Sequence, residues 1–267
     1  MNIESSHLRV NIERLIPVFI VLLVLGMWEG LAYSGHISIL FYPPPSKILQ
    51  TLWHLAIDGE LAANLGDTLV RLGLGLGLGM IPGVALGLFM GWSPRLRRIV
   101  DPFIAAFHPI PKTAIFPLFM IIFGIGESSK IFTIAIGTFF PALINSMAGV
   151  RQINPVYFEV AQNHGANIWK TFTRVILPGS LPMVLAGTRI AFNNAMVITI
   201  ALELLGARQG LGVMIWFAWE TLRTQNLYAI LIVIAVIGIV TNFLLQRVSL
   251  ALVPWYNRSI QDEAKSH

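Results

Sequence analysis

Six stretches of this chain are apolar for long enough to cross a bilayer, and that limits its fold more than any other feature. They are Leu15–Tyr33, Leu69–Met90, Ile99–Phe123, Ile131–Val150, Met183–Leu205 and Leu227–Leu250. A hydrocarbon core of about 30 Å needs roughly 20 apolar residues in helical form. Backbone polar groups in lipid need internal partners, so spans of this kind are helices. The expected fold class is therefore an all-α integral membrane protein with six transmembrane helices. Charged residues make up 12% of the chain and hydrophobic residues 55%. A soluble domain carries about 25% charged residues, so a soluble enzyme, a disordered chain and a nucleic-acid binder are all disfavoured. With no cysteine, there is no disulfide framework, thiol nucleophile or thiolate metal site.

The net charge of +5 reads as topology. Arg9, Arg14, Arg95, Arg97, Arg98, Arg151, Lys170, Arg174, Arg247, Arg258 and Lys265 fall on one side of the spans. Lys47, Lys130, Arg208 and Arg223 fall on the other. The positive-inside bias places both termini in the cytoplasm. Ala32-Tyr33-Ser34 has the small-x-small form of a signal-peptide cleavage site. The apolar run before it is as long as a true span, so it reads as retained. The chain divides into an N-terminal span with an outer interfacial helix (1–63), a five-helix core (64–250) and a cytoplasmic tail (251–267).

Between the first two spans, Ser46 is placed to cap a helix whose Ile48, Leu49, Leu52, Leu55 and Ala56 form an apolar stripe. A second interfacial segment is expected at 213–222, with Trp216 and Trp219. The third span holds Pro102, Pro109, Pro111 and Pro117 and is expected to be kinked or broken.

Span two carries Gly75, Gly79, Gly83, Gly87 and Gly91 at strict four-residue spacing, with Gly73 and Gly77 in a second row. Small residues at this spacing let helix backbones approach closely. A nucleotide loop is excluded, because the run lies inside an apolar span with no strand before it.

The loop 151–182 is about 30 residues long and more polar than its flanks. Asn154-Pro155 is a helix start, Gly165 permits a turn, and a second short helix is expected to run to Leu177-Pro178. A capped, rigid helix pair of this kind suits a groove on a partner. Gly165–Thr171 only approximates a phosphate loop, since Trp169 replaces the glycine before Lys170.

Charges within spans suggest function by default. Lys112 lies near the middle of the Pro-interrupted span, where His108, Pro109 and Pro111 free carbonyls and expose helix ends. A cation there would suit an anionic solute. Equally, Lys112 pairs with a carboxylate or lies shallower. Arg71 lies one turn from the outer edge of span two and reads as a snorkelling side chain. Arg189 lies a similar distance inside the cytoplasmic edge of span five. Glu203 is near the outer end of that span, and Glu29 reads as interfacial. The six histidines, His7, His36, His54, His108, His164 and His267, show no ligand spacing, so no metal site is expected. No catalytic constellation appears.

The loop motif Glu159-Val160-Ala161, Gly165, then Val175-Ile176-Leu177-Pro178 resembles the coupling loop of permease subunits of binding-protein-dependent ABC importers. Val160 and Val175 are conservative departures from that pattern. Phe41–Ser46, the glycine-rich span, Pro109–Ala114, Pro117-Leu118, Phe123–Lys130 and Gly210–Gly212 are similar to the taurine/aliphatic-sulfonate/nitrate/bicarbonate branch, over essentially the whole chain. The resemblance implies a type I importer fold in the bacterial inner membrane. It implies a homodimer, two cytoplasmic ATP-binding subunits and an extracytoplasmic solute-binding protein. ATP and magnesium would be held by the partner ATPase, with no cofactor in this chain, and no enzyme activity would be its own. The solute would be small and anionic, of sulfonate, taurine or nitrate type. A neutral or aromatic solute such as a pyrimidine vitamin precursor fits the same loop. A stand-alone secondary transporter is disfavoured for want of an inverted repeat.

Overall fold

The computed structural model describes residues 4–255, with side chains from residue 16 onward. The side chains of Arg9 and Arg14, and Arg258, Lys265 and the rest of the tail from 256, lie outside the described residues. Every regular element described is helical: α1 (Glu4–Tyr33), α2 (Pro45–Ile57), α3 (Glu60–Trp92), α4 (Pro94–Phe107), a 3-10 turn (Lys112–Ile115), α5 (Phe116–Phe123), α6 (Glu127–Arg151), α7 (Pro155–Asn163), α8 (Ile168–Thr171), a π-helical stretch (Phe172–Ile176), α9 (Leu177–Gly206), α10 (Leu211–Glu220) and α11 (Thr224–Leu252). The chain forms two compact units. One comprises residues up to Ala63 with Met214–Val233, and the other Asn64–Val213 with residues from Ile234 on.

In the first unit, α1 is apolar and largely exposed over Ile16–Tyr33, as a lipid-facing helix must be. Ser46 does not cap α2. The helix begins one residue earlier, at Pro45, with extended Pro44 in the capping position. Pro at the first helical position has no N–H to leave unpaired. Ser46 instead donates its N–H to Glu29 Oε2 (3.0 Å) and its hydroxyl to Glu29 Oε1 (2.6 Å). Glu29 is thus more than an interfacial side chain. Its carboxylate serves the first turn of α2 from α1 and complements the positive end of the helix dipole.

In the second unit, α6 is the most enclosed span. Its neighbour α3 presents all five glycines of the four-residue row. A Cβ built on Gly79 would collide with the Ala135 carbonyl oxygen and Thr138 Oγ1. At Gly83 it would come 2.6 Å from the Phe139 carbonyl oxygen, and at Gly91 2.5 Å from Val150 Cβ. Only hydrogen at these positions lets the backbones meet, and packing in lipid depends on such contact because no water is released to drive it. The Thr138 hydroxyl is also within 3.3 Å of the Gly75 carbonyl oxygen. The second glycine row behaves differently, since Gly73 and Gly77 have nothing within 4 Å.

The contacts run in one direction, from Gly75 against Ile134 to Gly91 against Val150. The helices α3 and α6 are therefore parallel. The chain between them must return from the far end of α3 to its start. So α4 and α5, bent by 86° at the 108–111 break, make one broken crossing rather than a re-entrant loop. The proline-rich span is broken as expected, and with the bent pair as one crossing the spans among the described residues number six. On another face of α6, α9 packs antiparallel, with Gly149 against Ser180 and Met183 and Gly187 against Pro141 and Asn145. Leu72, Phe116, Ile134, Phe192, Met196 and Leu202 form the apolar core that joins these helices.

The ridge yields a paired test. Both Gly77→Ala and Gly79→Ala gain roughly 1 kcal/mol of helix propensity, but only the second meets backbone. Gly77→Ala is expected to leave the melting temperature of the detergent-solubilised protein unchanged or higher. Gly79→Ala is expected to lower it by an overpacking cost of about 1–3 kcal/mol. The reverse order would contradict the ridge.

Candidate functional site

Three groupings in the second unit could carry function. The first is the loop 151–182. Asn154 Oδ1 accepts the Val156 N–H (3.0 Å) and Pro155 opens α7, as a capped start requires. At the other end, the Ala166 N–H donates to the Ala161 carbonyl and the Gly165 N–H to that of Gln162, both at 2.9 Å. This is a Schellman motif, and its left-handed residue is Gly165 at φ 64°. The Glu159–Gly165 spacing therefore encodes one helical turn and a fixed exit.

The loop's second half differs from expectation. There is no separate short helix ending at Pro178. From Ile168 the chain is helical without a break through α8, the π-helical stretch and α9. Pro178 has no N–H to give to the Arg174 carbonyl, and its ring would crowd that turn. The wider π turn before it, with the Leu177 N–H donating to the Phe172 carbonyl, accommodates the proline without ending the helix. Val175 and Leu177 lie on this continuous stretch.

One side of α7 is held. Phe158 packs with Phe172, Trp92 and Ile153 over Leu88, Val150 and Ile176. Phe172 stacks against Phe89 at 6.0 Å and Trp169 at 6.2 Å. The other side is bare, with Val156, Tyr157 and Val160 about half exposed or more and Ile168 and Trp169 at 74% and 70%. Glu159 is exposed beside them and Ala161 half-buried. An apolar face outside the spans, on a helix anchored from behind, is the form of a docking surface.

The second grouping is the corner of the broken span. Lys112 Nζ donates to the carbonyl oxygens of Phe107 (3.0 Å), His108 (2.8 Å) and Ile110 (2.8 Å). It also lies 4.8 Å from the centre of the Phe140 ring. No carboxylate is among its partners. The cation closes the C-terminal end of α4, where Pro109 and Pro111 leave carbonyls without helical donors. The His108 ring lies 5.5 Å from that of Phe140.

The third grouping was not legible residue by residue. Arg71 does not snorkel. Its side chain is 7% exposed and joins an ionic cluster in which Glu203 and Lys130 are buried and Glu127 is about half exposed. Nη1 donates to Glu203 Oε1 and to the Gln209 carbonyl, both at 2.7 Å, while Nε and Nη2 donate to Glu127. Glu203, fully buried, also accepts from the Thr68 hydroxyl and from the Gly212 N–H (2.9 Å). Lys130 donates to Glu127 (3.0 Å), so this cation is buried although it falls among the outer charges. Two cations meet two carboxylates, and Thr68 and Glu203 together hold the first amides of α10. A Cβ on Gly212 would lie 2.6 Å from Glu203 Cβ, and one on Gly210 would strike its carboxylate. The segments Phe123–Lys130 and Gly210–Gly212 thus converge here. The available signal was the pair of opposite charges, Arg71 and Glu203, each inside a span.

Residues 83–258 match the family described as "Binding-protein-dependent transport system inner membrane component". The chain belongs to this family. It is a multi-pass inner-membrane permease of ABC importer type. It is 37% identical over 238 residues to the taurine transport system permease protein TauC of Escherichia coli K12, covering 87% of this chain and 86% of TauC. It is 33% identical over 234 residues to SsuC of Bacillus subtilis, named for aliphatic sulfonates transport, covering 88% of this chain and 85% of SsuC. An inward-facing structure of the MetNI methionine ABC transporter superposes with a TM-score of 0.67 at 18% identity, over 74% of this chain and 98% of that one. That match establishes the type I importer permease fold.

Removing Glu203 takes one of the two carboxylates from Arg71 and the acceptor from the Thr68 hydroxyl and the Gly212 N–H. Glu203→Ala is expected to cost about 3–5 kcal/mol, read as a lowered denaturation midpoint of the solubilised protein. The double variant Arg71→Met/Glu203→Met is expected to lose less than the sum of the two single changes. Strict additivity would show that the pair is not coupled.

Proposed function

We propose that this permease carries a small anionic solute of the sulfonate or taurine class into the cytoplasm by alternating access, driven by ATP hydrolysis in partner subunits. The observation that supports this most is the anchored docking helix. The bare face of α7 offers a partner Val156, Tyr157 and Val160, with Glu159 among them, while Phe158 and Phe172 tie it to the ends of α3, α6 and α9. A push on such a helix moves the spans instead of bending a loop. In this reading each of two copies docks one ATP-binding subunit, and those subunits hold ATP and magnesium. A solute-binding protein delivers cargo to the outer face. The names of TauC and SsuC support the solute class.

Within the same reading, Glu159, Val160, Ala161 and Gly165 form the contact and its turn, and Val175, Leu177 and Pro178 carry motion into α9. His108, Pro109, Pro111 and Lys112 shape the pathway wall at the broken span. Lys112 acts there by holding the corner, since three carbonyls occupy its donors.

The test is uptake by proteoliposomes holding the permease, its ATPase and its binding protein. Glu159→Lys reverses the charge beside the contact, and Gly165→Val forces a β-branched residue to positive φ. Each is expected to cut uptake at least about tenfold, the effect of losing 1.4 kcal/mol of coupling, and to remove stimulation of ATP hydrolysis. Survival of both activities would remove the loop from coupling. Competition by a neutral pyrimidine but by no sulfonate would replace the solute class and leave the machine.

A further inference from the structure

Three cations fall within the apolar spans of the second unit: Arg71, Lys112 and Arg189. The first is ion-paired and the second is bound by carbonyls. Arg189 has no hydrogen bond or ion pair among the described residues, and it is exposed. With a rise of 1.5 Å per residue, it stands about 18 Å from Leu177 and about 26 Å from Gly206 along α9. It therefore lies within the apolar span Met183–Leu205, in the half nearer the loop 151–182.

Arg189 belongs to a stripe. Between residues 180 and 204, the exposed positions of α9 are Ala186, Arg189, Ile190, Asn193, Asn194 and Val197, which recur at the spacing of one helix face. Three of the six are polar. Beside them runs a groove of about 510 Å³ between α9 and α11, lined by Arg189, Asn242, Gln246 and Phe243. Asn242 Nδ2 donates to Asn193 Oδ1 (3.3 Å) and to the Gly238 carbonyl (2.9 Å). That bond leaves the Asn193 amide donors, Asn194, Gln246 and the whole guanidinium free. A fatty acyl chain can satisfy none of them, so this face meets water or a polar ligand. A guanidinium flanked by neutral amides complements an anion with several oxygens, because each amide has N–H groups to offer and none brings a competing negative charge.

We infer that the Arg189–Asn193–Asn194 face and its groove line the solute pathway, and that Arg189 recognises the oxyanion group of the solute. This rests on the anionic-solute reading above. Weak, spaced donors in place of an enclosed pocket suit a passage that must also release its cargo.

The test uses the assembled importer in proteoliposomes and radiolabelled taurine and methanesulfonate. Arg189→Gln is expected to lower initial uptake of both by at least about tenfold, as loss of a charge-assisted bond predicts. The purified complex should keep its size on gel filtration. Arg189→Lys, which restores the charge, should transport faster than Arg189→Gln. A second readout does not depend on that variant. The chain has no native cysteine, so Asn194→Cys is a single reporter. A water-soluble anionic methanethiosulfonate is expected to modify it, and several-fold more slowly once Arg189→Gln removes the attracting charge. Failure of the reagent to react would place this face in lipid. A spontaneous disulfide between two copies would make it a subunit interface. Wild-type-like uptake by Arg189→Gln would also overturn the assignment. If the wild type takes up no sulfonate at all, the solute reading falls first, and with it the role of Arg189.

Discussion

The close approach of α3 to α6 is the contact on which the rest of this permease depends. Five glycines in register bring the two backbones together over the length of a span. Because α3 and α6 are parallel, the broken α4–α5 crossing must exist to join them. Because α6 also packs antiparallel to α9, the three helices form one block. At one end Leu88, Val150 and Ile176 make the seat for α7. At the other, Arg71, Glu127, Lys130 and Glu203 come within bonding distance.

The cations inside the spans show two solutions to one problem and one exception. A charge in hydrocarbon needs partners. Arg71 finds carboxylates, and the cluster it forms also starts α10. Lys112 finds backbone carbonyls that a proline-rich break has left without donors. Both arrangements are internally satisfied and serve architecture. Arg189 has the same chemistry with no such partners among the described residues, and this difference directs attention from the broken span to the exposed face of α9.

What the sequence made legible was what is local or periodic. The spans follow from hydropathy, and the caps at Asn154 and Gly165 from backbone rules that act over a few residues. The glycine row was visible as a packing ridge, but its partner helix was not. Gly73 and Gly77 look identical in sequence and face nothing. Ser46 is a capping residue by type, and only Glu29, 17 residues away, shows why it does not cap here. The π turn before Pro178 depends on a helix continuing past a residue that usually ends one. The ionic cluster joins Arg71 to Glu203 across 132 residues, so no local pattern reports it. Lys112 was conspicuous as a lone charge, yet its partners were the carbonyls of its own neighbours.

The account's central claim is that the docking helix and the α3–α6–α9 block move as one body. Spin labels on Gln162→Cys, at the end of α7, and Ser128→Cys, at the far end of α6, test it in a chain with no other cysteine. Pulsed dipolar spectroscopy would compare the assembled importer, one permease copy doubly labelled, without nucleotide and with ATP trapped. The account predicts one narrow intrachain distance, the same in both states. A distance that shifts or broadens by several ångströms on ATP binding would show that the docking helix moves independently of the spans.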